Sequence, residues 1–306
     1  MDTHQLLNGY ATGQRAFPGA DLQGIDLHNQ TLVGIQLPGA NVMGGNLSRC
    51  FLLRANLQDA FLNWVNLSYA KLSDANLAEA DLTKANLTGA FAVNVNLSRA
   101  KLSGARLENI NLRGADLRQA NLCGANLRGA NLRHADLRGA NLGWANLEGT
   151  RLSGARLEGA FLHNVNLKRA YLNGLDLAGI QLGGVDLGEA KLSGVKLQGA
   201  KLAASSLCAA QVRGGKLTGA DLKGANLRQA LLCNADLKWS NLSQADLSDA
   251  DLRGANLLGA NIEGATFTRA LLSMAMVRYL NLIAVGQSRL GQVSTAETLQ
   301  HCIASS

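Results

Sequence analysis

A five-residue beat constrains this chain more than any other feature. Between Ala115 and Leu142 it reads ADLRQ ANLCG ANLRG ANLRH ADLRG ANL. Each unit opens with Ala, continues with Asn or Asp, and places Leu third (Leu117, Leu122, Leu127, Leu132, Leu137, Leu142). The fourth and fifth slots are polar or Gly. The same phase holds from Leu22 to Leu282, where 53 third slots include six that are not Leu: Val42, Ala92, Val212, Ile262, Phe267 and Val277. No insertion resets it.

Internal periodicity outranks local propensity in deciding a fold. An α-helix places apolar residues every 3.6 positions and a strand every 2. Five suits neither. It suits a chain that turns two side chains inward, the Leu and the small residue two before it, and then rounds a corner. Composition agrees with corners: 25 of the 34 Gly stand in the fifth slot, from Gly19 to Gly264. Gly adopts positive φ at no steric cost. The two prolines, Pro18 and Pro38, sit near the N-terminal end, where they disturb the fewest backbone pairings.

The A(D/N)LXX pattern closely resembles the pentapeptide-repeat family, over roughly residues 17 to 282. That resemblance implies an all-β fold, a right-handed quadrilateral β-helix with four pentapeptides per coil. Residues 20 apart would then stack, giving about 13 coils. At about 4.8 Å per coil the stack is about 62 Å long. The ordering entropy of one coil exceeds what its few buried Leu return, so only stacked coils are stable. The N-terminal run LLNGYATGQRAF also resembles the cap of some cyanobacterial members, through Leu7, Tyr10, Ala11, Gly13, Arg15 and Phe17.

Three regions are expected: a helical cap over 1–16, the repeat over 17–282 and a C-terminal cap over 283–306. Residues 2–12 read as a short helix capped by Asp2 or Thr3, with Leu6, Leu7, Tyr10 and Ala11 on one face and Gly13 ending it. It would cover the open coil edge, which otherwise invites association. Past Val277 the beat fades: Ile283, Val285, Leu290 and Val293 do not keep it. Ser294 with Glu297 forms a capping-box pattern before a segment over 295–304. An uncovered apolar face on this C-terminal cap would make the protein a homodimer through it rather than a monomer.

The early residues include Asp2, His4 and Arg15 and lack a long apolar core, so no secretory signal is expected. No apolar run approaches the ~20 residues that span a bilayer. Five Cys at irregular spacing (50, 123, 208, 233, 302) suit reduced thiols and a cytoplasmic setting.

Two outward surfaces are candidate binding sites. Aromatics are densest at Phe51, Phe61, Trp64, Tyr69 and Phe91, and exposed aromatics anchor partners. Phe51, Phe91 and Tyr171 fall in one stacked slot, Phe61 and Phe161 in another. The alternative is that these rings lie flat and cover backbone. The second surface is basic. Residues 99 to 169 hold twelve cations against five acids, an excess equal to the net +7 of the chain. Its stripe comprises Arg113, Arg118, Arg128, Arg133, Arg138, Arg151 and Arg156, with Arg113 over Arg133 and Arg118 over Arg138. Cations stacked this closely repel and require an anion or water between them. The stripe suits an acidic protein surface or nucleic acid, or is a solvated face. Asn in the second slot, as at Asn46, Asn66 and Asn86, would form amide ladders.

No catalytic pattern appears. The His are scattered, no Cys/His metal spacing occurs, and Gly-rich pieces belong to the repeat. No cofactor is expected. The expected function is a non-enzymatic protein-interaction scaffold or regulator with an unidentified protein partner. Nucleic-acid binding through the 99–169 stripe is the alternative. A topoisomerase-binding DNA mimic is the third reading. The gyrase-protecting branch is acidic and interrupted, whereas this chain is basic, Leu-centred and unbroken.

Overall fold

The computed structural model describes residues 1–284 and 294–305. It divides into two compact units, Met1–Phe161 and Leu162–Ser306.

In the first unit, helix α1 spans Thr3–Ala11. Asp2 caps it reciprocally: Gln5 N–H donates to Asp2 Oδ1 (2.8 Å) and Asp2 N–H to Gln5 Oε1 (3.1 Å). Gly13, at φ +97°, follows its end. Of the four apolar residues expected to pack, only Leu6 is buried; Leu7 and Tyr10 are half-buried and Ala11 is exposed. The helix sits on the first coil's open carbonyls. The Met1 amino group donates to Asp21 O (2.8 Å), Thr3 Oγ1 to Asp26 O (3.2 Å) and the Tyr10 hydroxyl to Val33 O (3.0 Å).

From Ala16 onward every fifth residue forms a parallel bridge with the residue 20 further on, beginning Ala16↔Gln36, Asp21↔Asn41, Asp26↔Asn46 and Thr31↔Phe51. Four such bridges make one twenty-residue coil with four sides. The walls are single bridges, not extended strands, because each side is only as long as one pentapeptide.

One unit, residues 46–50, accounts for all five of its N–H groups. Asn46 N–H bonds Ile25 O below and Leu47 N–H bonds Asn66 O above. Arg49 N–H bonds Ser68 O, and Cys50 N–H closes the corner on Leu47 O. Only the fourth slot lacks a backbone acceptor, and there Ser48 N–H donates to Asn46 Oδ1 (3.2 Å). This is why Asn or Asp recurs in the second slot: its side chain accepts the one donor that the coil leaves over. The same amide donates down the stack. Asn46 Nδ2 reaches Asp26 Oδ1 (3.1 Å), and Asn66 Nδ2 reaches Asn46 Oδ1 (3.3 Å).

Corners explain the fifth slot. Every one from Gly19 to Arg269 has positive φ, and about half are not Gly. Gly is therefore preferred there, not required. Inside, Leu117, Leu122, Leu127 and Leu132 are each 0% exposed, as are the Ala residues between them. Polar residues in inward small slots satisfy themselves: Thr150 Oγ1 donates to Leu147 O (2.8 Å), and Cys50 Sγ donates to Leu27 O (2.6 Å).

In the second unit the same bridging runs from Asn166↔Asp186 to Asp251↔Leu271. Strand β1 follows over Leu271–Ser273, then helix α2 over Met274–Ile283. The coil thus stops at 273 and not at the expected 282. Val277 is only half-buried and Leu282 is 85% exposed, although both keep the phase. Ser273 N-caps the helix, its Oγ accepting from Met276 N–H (3.3 Å). Met, Ala, Leu and Arg in this run are strong helix formers, and Met276 stands where Asn would accept the spare donor.

Helix α3 spans Thr295–Gln300, with the expected capping box at Ser294 and Glu297. It is shorter than the 295–304 segment anticipated, because strand β2, Ile303–Ser305, pairs in parallel with β1 from Leu271↔Ile303 to Ser273↔Ser305. Phe267 N–H donates to Thr298 Oγ1 (3.2 Å) and Arg269 N–H to His301 O (3.1 Å). The last coil edge is thereby covered. Val285, Leu290 and Val293 lie outside the described residues.

Candidate functional site

The candidate residues all fall in the first unit, whose four sides can be named by their bridge columns. Side I runs Phe51, Lys71, Phe91, Asn111, Asn131, Arg151. Side II runs Asn76, Asn96, Asp116, Asp136, Arg156; side III carries Phe61; side IV runs Asn46, Asn66, Asn86.

The aromatic set divides. Phe51 and Phe91 share side I, with Lys71 stacked between them. The Lys71 ammonium lies 3.6 Å from the Phe91 ring centroid, a cation–π contact. Tyr69 stands on the corner between sides IV and I and leans over Gly89, where any Cβ would meet its ring at 2.6 Å. The Arg49 guanidinium is 5.9 Å from the same ring. Phe61 lies on side III, the wall opposite side I, and Trp64 on the corner between III and IV. All five rings are 43–57% exposed, so they neither leave the wall nor sink into it. The structure therefore joins Phe51, Tyr69 and Phe91 and separates Phe61 and Trp64 from them. Lys71 and Arg49 were not singled out in the sequence; their twenty-residue offset from Phe91 and Tyr69 is the signal that finds them.

The basic stripe also divides. On the corner between sides II and III, Arg118 forks onto Asp116 (2.6 Å) and Arg138 onto Asp136 (2.5 Å). These hydrogen bonds hold both carboxyls below the usual Asp range. Arg156 lies 3.9 Å from Asp136 and 3.7 Å from Glu158, and Arg128 lies 3.7 Å from Glu148. Arg113, Arg133 and Arg151 have no ion pair among the described residues. Arg113 and Arg133 occupy the corner between sides I and II, and Arg151 is on side I beside it.

Beside the paired arginines lies an open groove of about 440 Å³, lined by Glu79, Ser98, Arg99, Arg118, Gln119, Arg138 and Gly139. Arg99 donates within it to Gln119 (3.1 Å) and Glu79 (3.4 Å). Its three guanidiniums each have a carboxylate, so it carries no net charge to draw an ion.

Among the described residues no group of three or more His, Cys, Asp or Glu could hold a metal, and no helix is long and apolar enough to cross a membrane. The five cysteines are free. Burial raises the Cys50 thiol to about 11, so it is an inert core group rather than a nucleophile.

A family model described as pentapeptide repeats matches eight overlapping copies: residues 36–74, 60–99, 75–114, 115–154, 150–188, 186–224, 216–249 and 235–273. No curated protein matches. Among solved structures, the chain is similar to HetL, a pentapeptide repeat protein involved in heterocyst differentiation regulation from the cyanobacterium Nostoc sp. strain PCC 7120. The two are 32% identical over 87% of this chain and 97% of that one, with a TM-score of 0.24. It is also similar to a pentapeptide repeat protein from the Arabidopsis thaliana thylakoid lumen, at 33% identity over 42% of this chain and 88% of that one, with a TM-score of 0.41. QnrB1, a plasmid-mediated fluoroquinolone resistance protein, matches at 16% identity over 87% of this chain and 97% of that one, with a TM-score of 0.33.

Proposed function

Because this chain belongs to the pentapeptide-repeat family, we propose that it is a non-enzymatic protein-interaction scaffold or regulator. In this reading it presents the walls of a right-handed quadrilateral β-helix to a protein partner in the cytoplasm, a setting that five free thiols support. The observation that carries it is the column of Phe51, Lys71 and Phe91 on side I, with Tyr69 on the adjoining corner. Rings held half-exposed on a rigid wall lose little further freedom on binding, which favours them as anchors.

A pull-down from native lysate tests this. The partner recovered by the wild type should be lost with Phe51→Ser/Phe91→Ser and kept with Phe61→Ser, which alters the opposite wall. Equal recovery by all three counts against the aromatic site.

The unpaired Arg113, Arg133 and Arg151 favour nucleic-acid binding as a second reading. Duplex and single-strand affinity measured against salt should then fall steeply as salt rises. A DNA-mimic role at a topoisomerase would require that excess protein alter gyrase supercoiling, and the basic surface argues against it. Exposed Met274 and Leu282 on α2 support a homodimer through the C-terminal cap over a monomer. Light scattering of the wild type and Leu282→Glu distinguishes these states.

A further inference from the structure

On the first unit, the aromatic group and the unpaired arginines occupy one continuous wall. Phe51, Lys71, Phe91, Asn111, Asn131 and Arg151 follow one another in unbroken register, with Arg113 and Arg133 along the adjoining corner. From Asn111 to Gly154 neither side I nor that corner holds an acid. The nearest carboxylate on the corner, Asp74, lies below and accepts from Asn94 (3.3 Å). The wall thus has an aromatic end, with Lys71 among its rings, and a cationic end where Arg113 and Arg133 stack on the corner beside Arg151, none of the three ion-paired among the described residues.

We propose that side I binds an extended polypeptide segment, apolar at one end and acidic at the other. Its apolar end lies on Phe51, Tyr69 and Phe91, and its carboxylates meet Arg113, Arg133 and Arg151. This rests on the scaffold reading and names the chemistry of the partner. Charge complementarity selects the acidic end, since a guanidinium takes a carboxylate through two parallel hydrogen bonds. Five coil steps from Phe51 to Arg151 span about 24 Å, the length of about seven extended residues. A single nucleic-acid strand fits less well. Its bases need open ring faces to stack on, whereas the Phe91 ring already carries the Lys71 ammonium.

Fluorescence anisotropy tests this with a labelled peptide of a Leu-Trp end, a Gly-Ser spacer and four glutamates. Controls are its glutamine counterpart and oligothymidine. Binding of the glutamate peptide should be at least about tenfold tighter than that of the glutamine peptide. Arg113→Gln/Arg133→Gln/Arg151→Gln should abolish that preference, and Arg118→Gln/Arg138→Gln should keep it, with melting curves verifying that both variants fold. No preference for glutamate, or tighter binding of oligothymidine, overturns the proposal. The pull-down separates the two readings. A partner lost with Phe51→Ser/Phe91→Ser but kept by the arginine triple leaves the scaffold and refutes the joined wall. A partner kept by both variants refutes both.

Discussion

Two corners of the first unit carry the same pair of stacked arginines in the same repeat slot, yet they differ in charge. On one, Arg118 and Arg138 are closed onto Asp116 and Asp136. On the other, Arg113 and Arg133 follow Asn111 and Asn131, whose amides accept the Arg backbone N–H (3.3 and 3.4 Å) but cannot neutralise the side chain. Asp and Asn both satisfy the coil's spare donor. Only Asp also captures the guanidinium two residues later. At these two corners a single atom's difference in the second slot decides whether the fourth-slot arginine is closed onto its own unit; an arginine after Asn is closed only where a neighbouring coil offers an acid, as Glu148 does to Arg128 (3.7 Å). The second unit repeats the closed case at Asp251 and Arg253 (2.7 Å).

The most severe way to break this comparison is to destroy the register both corners share. Leu127→Lys buries a charge among side chains that are 0% exposed. It should cost about 4 kcal/mol or more. Melting followed by circular dichroism should show the unit unfolded or strongly destabilised; a near-wild-type midpoint contradicts the inward assignment.

The sharper test exchanges the two corners. Asn111→Asp/Asn131→Asp should close the open arginines and weaken glutamate-peptide binding about tenfold. Unchanged anisotropy would mean that the second slot does not control arginine availability.

Acid should separate the corners as well. Asp116 and Asp136 have lowered folded values, so their stabilisation is present above the unfolded Asp value of about 3.9 and is lost as pH falls through the lowered ones. Below about pH 4, Asp116→Asn/Asp136→Asn should therefore lose less stability than the wild type. Parallel midpoint-against-pH curves would refute the fork.

Smaller effects probe the common frame. Asn66→Ala removes the acceptor for Ser68 N–H and two rungs of the ladder, to Asn46 and from Asn86, at about 1–2 kcal/mol. Gly124→Ala meets nothing within 4 Å, so it should cost only the left-handed backbone preference, about 1 kcal/mol. Denaturant titration ranks the two, and a larger loss for Gly124→Ala would reverse the assigned roles.

By itself, the sequence determined the inward Leu and Ala, the corners and the twenty-residue stacking once four units per coil was taken from the family resemblance. These are local consequences of a short repeat, legible because every unit repeats the same choice. It also held the Asp/Asn distinction, which is readable only after the side chain's acceptor role is known. Val277 and Leu282 kept the beat and misled, because helix α2 competes for the same apolar residues once Ser273 can cap it. Which aromatics share a wall was legible from the twenty-residue stacking, but which arginines stay unpaired and how β2 returns to pair with β1 were decided by tertiary structure alone. Each depends on residues far apart in sequence meeting across coils, where distance and counter-charge, not residue type, set the outcome.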